Sequence, residues 1–156
     1  MNNKFNNGTY LVKNPDKYIG KKQPTYRSSW EYKFCEMCDN HPSILAWASE
    51  PISIKYMHPF KRTMSNYIPD FFVVYTDSNG RSFSELVEIK PLSQTNPKYA
   101  KSDYDREQIA INAAKWKAAL QYCKAHGIKF KVITEQNIFK NNKHSANIKK
   151  VGRRKK

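Results

Sequence analysis

The chain has 156 residues and a formal net charge of +15, with eight Phe, ten Tyr and three Trp. That length supports one domain with a real core and leaves no room for two ordinary ones, and the aromatic content excludes a chain too polar to fold. A charge this large points to a polyanionic partner, nucleic acid first, with an anionic membrane surface as the competing reading.

No apolar run approaches the roughly 18 residues of a spanning helix. The opening MNNKFNNGTYLVKN has no apolar core of a secretion signal, so the cytoplasm is the expected place of synthesis and first action. Residues 1 to 27 carry Lys4, Lys13, Lys17, Lys21, Lys22 and Arg27 against one acid, Asp16, and read as a basic, irregular arm. The segment YRSSWEYKFCEMCDNHP is a first helix. Ser28 or Ser29 can cap it, Trp30, Phe34 and Met37 or Cys38 recur at helical spacing, and Pro42 stops it. Glu31 lies on the flank of that apolar stripe. Cys35, Cys38 and His41 invite a metal-knuckle reading, but a closed site wants four ligands and no second cysteine pair follows. Packing of the thiols as small apolar residues is the plainer account.

PISIKYMHP alternates as a strand does. YIPDFFVVYTDSNGRSFSELVEIKP is two apolar runs around Asn79-Gly80, a β-hairpin signal. After a loop, YDREQIAINAAKWKAALQYCKAHG is a long helix, capped by Ser102 or Asp103 and closed by Gly127. Ile109, Ala113, Trp116, Leu120 and Cys123 step along one face of it. Lys115 faces away from that stripe, where a solvated lysine is the ordinary reading and a phosphate contact the functional one. IKFKVITE is a last strand, expected to run parallel to a neighbour. The predicted order is helix, three strands, helix, strand: an α/β fold around a small mixed sheet over residues 28–139. Residues 140–156 hold eight Lys or Arg and no acid. This tail is expected to be disordered when free and able to release counterions from a phosphate backbone.

The chemistry concentrates in the hairpin. Paired positions should sum to about 157, which sets Asp70 opposite Val87 or Glu88. Glu88 and Lys90, two apart, share a strand face. Two carboxylates brought together repel unless a cation sits between them. Mg²⁺, or Mn²⁺ in its place, is the natural choice, being hard and content with oxygen ligands. The backbone carbonyl of Ile89 would be a third ligand, and Lys90 would stand where an attacking water and a phosphoryl oxygen meet. The plain alternative is that these charges guard a sheet edge against aggregation.

Pro69-Asp70 followed by Glu88-Ile89-Lys90 resembles the PD-(D/E)xK nuclease signature, and the element order resembles that superfamily's restriction-endonuclease-like core. Together YRSSWEYKFCEMCDNHPSILAWASEPISIKY, YIPDFFV, LVEIKP and AINAAKWKAALQYCKAHGIKFKVITE resemble the TnsA-like endonuclease domain. They resemble still more the small head-completion nucleases of contractile-tailed bacteriophages. The resemblance implies that Asp70 and Glu88 bind metal, that Lys90 is catalytic, and that Glu31 matches an acid of the first helix that helps hold a metal or its waters. Some relatives carry a glutamine and a tyrosine on the following helix; here Gln108 is followed by Asn112. The DNA-contacting set would be Gln108 and Lys115 on the helix, with Lys149, Lys150, Arg153, Arg154, Lys155 and Lys156 in the tail. It further implies double-stranded DNA and phage portal, head or neck proteins as partners, with no membrane and no small-molecule cofactor. The place of action would be the host cytoplasm during assembly and the virion head or neck. A non-catalytic DNA-binding completion factor on the same fold, or a transposition- or restriction-type endonuclease, are the alternatives.

Overall fold

The fold is that of a computed structural model, which describes residues 7–137; the basic tail expected at 140–156, with Lys149, Lys150, Arg153, Arg154, Lys155 and Lys156, lies outside them. Two short strands, β1 (Gly8–Thr9) and β2 (Thr25–Tyr26), precede helix α1 (Ser29–Asn40). Strand β3 (Ile44–Ser49) follows, then β4 (Ile54–Met57) and β5 (Met64–Tyr67). The hairpin is β6 (Phe71–Thr76) and β7 (Ser82–Ile89), and the chain closes with α2 (Asp103–His126) and β8 (Lys129–Ile133).

The main sheet has the order β3-β6-β7-β8, with β8 parallel to β7 and the other pairs antiparallel. A helix, three strands, a helix and a strand therefore build the core, but the first of those strands is not the expected one. PISIKYMHP supplies β4, which leaves the sheet and pairs with β5 as a separate two-stranded ribbon. Its place is taken by β3, within the apolar run ILAWA. The pairing of β3 with β6 buries Trp47 and Ala48, a gain that local alternation cannot register. Because β8 flanks β7, the charged end of β7 lies on an interior strand, and the guarding of a sheet edge does not account for Glu88 and Lys90.

Both helices begin with the same device. Ser28 Oγ accepts the Glu31 N–H at 3.1 Å, and Glu31 Oε1 reaches back to the Arg27 N–H at 3.2 Å. Ser102 Oγ accepts the Asp105 N–H at 3.1 Å, and Asp105 reaches back to the Lys101 N–H at 2.9 Å. Each satisfies orphan donors of a first helical turn. Gly127 closes α2 in the left-handed conformation, φ 67°, which glycine adopts at no steric cost.

One face of the sheet packs Val73, Val87 and Ile89 against Phe34, Cys35 and Cys38 of α1. The other packs Leu86 against Ala119 and Cys123 of α2 and Ile54, Tyr56 and Tyr67 of the ribbon. The expected stripe of α2 is rotated: Ala113 and Leu120 are exposed, and Asn112 and Ala119 are buried beside Ile109 and Cys123. A polar residue can take that place because Asn112 Nδ2 donates to the Gln94 carbonyl at 3.0 Å. The small Ala119 lets the ribbon approach the helix closely.

Within the N-terminal arm, β1 pairs antiparallel with β2, and residues 8–26 are seated on the core. Trp47 N–H donates to the Lys17 carbonyl at 3.0 Å and Ile19 N–H to the Trp47 carbonyl at 2.9 Å, so the arm covers the outer edge of β3. Its anchor is Asp39, fully buried. That carboxylate accepts Tyr10 O–H and Lys13 N–H, both at 2.8 Å, and the backbone and side-chain N–H groups of Asn14. Burial pushes the Asp39 carboxyl up, but these hydrogen bonds outweigh it and hold it below the usual range. Asp39→Ala would strand the buried Tyr10 O–H and remove the part-buried bonds to Lys13 and Asn14 at once. A loss of at least about 3 kcal/mol is expected in urea denaturation, with Asp39→Asn losing less.

Candidate active site

The site forms where three strands end together. Continuing the β3–β6 register one step past Ser49↔Phe71, and the β6–β7 register one step past Phe71↔Val87, sets Glu50, Asp70 and Glu88 in one row across the rim. Two hydrogen bonds fix the row: Glu50 N–H to the Asp70 carbonyl at 2.8 Å, and Ile89 N–H to Asp70 Oδ2 at 2.8 Å. Asp70 is thus opposite Glu88, one of the two pairings the turn arithmetic allows. The N–H and C=O of one strand residue leave the same side of the strand. The Ile89 carbonyl therefore also opens toward Asp70.

Glu88 is almost wholly buried, at 4 % exposure. Its Oε1 accepts the Tyr67 O–H at 2.9 Å, and its Oε2 stands 3.9 Å from Lys90 Nζ. Lys90 keeps a quarter of its side chain exposed; its backbone N–H is tied to the Ile133 carbonyl at 3.0 Å. Glu88 and Lys90 share a strand face, as their spacing requires.

Electrostatics identify the wider cluster. Burial, followed by the charge of Asp70, pushes Glu88 up to about 8 against the pull of Lys90, Tyr67 and Lys115. Burial pushes Asp70 up to about 6, offset by the Ile89 N–H, Lys90 and Arg27. Burial and Asp70 push Glu31 up to about 7, offset by Arg27 and Lys90. Asp70 and Lys90 therefore act on both Glu31 and Glu88, although Glu31 comes from α1 and the others from the hairpin. Glu31 already has a local task, the cap on the Arg27 N–H.

Lys115 is not a solvated lysine. It is half-buried, with Nζ 5.6 Å from the Tyr67 ring centroid and 5.9 Å from that of Tyr56. Burial, then Lys90, lowers its pKa, while Glu88 and Asp70 act the other way. The rotation of α2 that buries Asn112 also turns Lys115 toward the carboxylates. Gln108, half-buried, lies two turns earlier on the same side of α2.

Two residues at the rim, Tyr67 and Glu50, escape sequence reasoning. Tyr67 orients Glu88. Glu50, at a left-handed φ of 48°, bonds Lys22 at 2.8 Å and Arg27 at 2.9 Å, so the basic arm brings two cations to the acidic row. Only Glu50 had a local signal, an acid at the end of an apolar run before Pro51. Among the described residues, no three His, Cys, Asp or Glu side chains make a ready-made metal cage, and no helix is long and apolar enough to cross a membrane.

A mixed sheet between two helices, with acids and a lysine converging at the rim, is the arrangement of a nuclease domain. The chain belongs to the TnsA-like endonuclease N-terminal family, whose model matches residues 41–135. Asp70, Glu88, Lys90 and Lys115 fall inside that match; Arg27 and Glu31 fall before it. The chain is also similar to the head completion nuclease of Enterobacteria phage T4, 36% identical over 142 residues, covering 84% of this chain and 92% of the relative.

Proposed function

We propose that this chain is a Mg²⁺- or Mn²⁺-dependent DNA endonuclease of the PD-(D/E)xK type on a restriction-endonuclease-like core. Its task would be to process or secure the packaged DNA end during phage head completion, in contact with portal, head or neck proteins. The observation that carries this reading is the Asp70 carboxylate bonded to the Ile89 N–H, one register step past Phe71↔Val87, with Lys90 3.9 Å from Glu88.

The donors fit the cation. Mg²⁺ takes one or two carboxylates and completes its shell with water and substrate phosphate, so a full cage of protein ligands is not required. These carboxyls are pushed up first by burial, and Glu88 and Glu31 also by the charge of Asp70; a cation beside them would favour their ionised forms. Asp70, Glu88 and the Ile89 carbonyl would hold the ion, with Glu31 assisting through water. When bound, the ion would polarise the phosphodiester and make water a better nucleophile at neutral pH.

The chain's own groups do the rest. Tyr67 fixes one oxygen of Glu88 and leaves the other facing Lys90. The Lys90 ammonium would orient the attacking water and offset the charge that grows on the phosphoryl oxygens. Lys115 would hold the phosphate from the α2 side, and Lys22 and Arg27 would meet the adjoining backbone. Phosphate contacts of this kind position DNA without reading its sequence.

The test is cleavage of linear and circular duplexes by the full chain with Mg²⁺ or Mn²⁺, alongside Asp70→Asn and calorimetric titration of each metal. Metal-dependent cutting is expected from the wild type, with loss of both cutting and metal uptake in Asp70→Asn. A wild type inert with every metal and DNA form would defeat the enzyme reading.

A further inference from the structure

The β4–β5 ribbon belongs to neither helix layer nor main sheet, and its two faces differ sharply. Inward, Ile54 pairs with Tyr67 and Tyr56 with Ser65. Ile54, Tyr56 and Tyr67 are buried against α2, and Tyr67 hydrogen-bonds Glu88. Outward, Lys55 pairs with Asn66 and Met57 with Met64. Met57 is 53 % exposed and Met64 56 %, and Phe60 at the tip is 56 % exposed. Large apolar side chains grouped on an outer face signal an interaction surface.

The tip is built rather than loose. His58 N–H donates to the Thr63 carbonyl and Arg62 N–H to the His58 carbonyl, both at 2.9 Å. His58 Nδ1 accepts the N–H groups of Phe60 and Lys61, each at 3.2 Å. Arg62 holds a left-handed φ of 55°, a strained conformation for a non-glycine residue. Lys61 and Arg62 are thus presented on a fixed turn.

Charge selects the partner. From Pro51 to Pro69 the chain has Lys55, Lys61 and Arg62 and no acid. The ribbon's inner face reaches the carboxylate row through the Tyr67–Glu88 bond, so a duplex engaged by that row passes close to the ribbon. A two-stranded ribbon is also one of the shapes that the DNA major groove admits.

We infer that the β4–β5 ribbon is a DNA-gripping element that lies in a groove of the duplex beside the cut. Lys61 and Arg62 bind phosphates, and Met57, Met64 and Phe60 make apolar contact with groove walls. This inference rests on the nuclease reading, and it adds the surface that holds the substrate. Through Tyr67 the same ribbon touches Glu88, so the grip and the catalytic row share one rigid element.

The test is fluorescence anisotropy of a labelled duplex titrated with the full chain in EDTA, which prevents cleavage, over a salt series. Each phosphate contact contributes a slope of roughly 0.9 to log K against log salt. Lys61→Ser/Arg62→Ser should flatten that slope by about two. Met57→Thr/Met64→Thr should keep the slope and weaken binding about tenfold at every salt, as expected when uncharged contacts are lost. All four side chains are exposed, so melting temperatures should match the wild type. On the unaltered chain, duplex DNA should slow peroxide oxidation of Met57 and Met64. Wild-type binding with unchanged variants and unprotected methionines would overturn the inference and assign the ribbon to a protein partner. A wild type that binds no DNA would overturn the nuclease reading and this inference with it.

Discussion

Lys90→Met is expected to lower DNA cleavage by about three orders of magnitude or more while leaving the fold intact. Methionine keeps most of the aliphatic stem, and the Lys90 main-chain bond to Ile133 does not depend on the side chain. What disappears is the ammonium 3.9 Å from Glu88 Oε2. One preorganised charge at a developing oxyanion is worth about 10²–10³ in rate, and losing the group that orients the attacking water adds to that. Removing the charge should also shift the pH profile. Lys90 pulls Glu31, Asp70 and Glu88 down, so without it they ionise at higher pH, and residual activity should rise later on the alkaline side. Single-turnover cleavage across pH measures both effects. Near-wild-type rates in Lys90→Met would remove this lysine from the mechanism.

The second large effect concerns stability without metal. Glu88 has its pKa raised to about 8 by burial and by Asp70, so the folded state holds its proton more tightly than the unfolded chain does. The sign follows from linkage: this contribution is fully present below the ordinary carboxyl pKa and is lost as pH rises toward about 8. The metal-free chain should therefore melt at progressively lower temperature from acid to neutral and mildly alkaline pH. Because Asp70 and Glu31 share the repulsion, Glu88 alone is worth a few kcal/mol at most. Glu88→Gln, neutral at every pH and still able to accept the Tyr67 O–H, should lose most of that slope and be the more stable protein at pH 8. Mg²⁺ or Mn²⁺ should raise the wild-type melting temperature, most at the alkaline end, and do little for Glu88→Gln. Calorimetry across pH with EDTA or metal distinguishes these cases. A pH-independent wild type would mean that the three carboxyls do not share a site.

The sequence by itself was enough for every feature that rests on neighbours in the chain. Asn79-Gly80 marks the turn, and counting from it brings Asp70 opposite Val87 or Glu88. Ser28 or Ser29 and Ser102 or Asp103 mark helix starts as side-chain caps, and Gly127 marks a helix end through its backbone freedom. The two-residue spacing of Glu88 and Lys90 puts them on one face of β7. Turns, caps and alternation are local, and they survive the choice of partner.

The tertiary structure alone decided which surfaces meet. ILAWA becomes the outer strand of the main sheet, and IKYM leaves for a ribbon, because burial of Trp47 depends on β6 and on an arm that begins forty residues earlier. α2 can bury either of two adjacent faces by its own periodicity. The bond from Asn112 to Gln94 and the fit of Ala119 under the ribbon select one of them, and that choice brings Lys115 to the carboxylates. Tyr67 and Glu50 enter the site for the same reason: long-range pairing carries them there, and the energy of such pairing is absent from any short window of sequence.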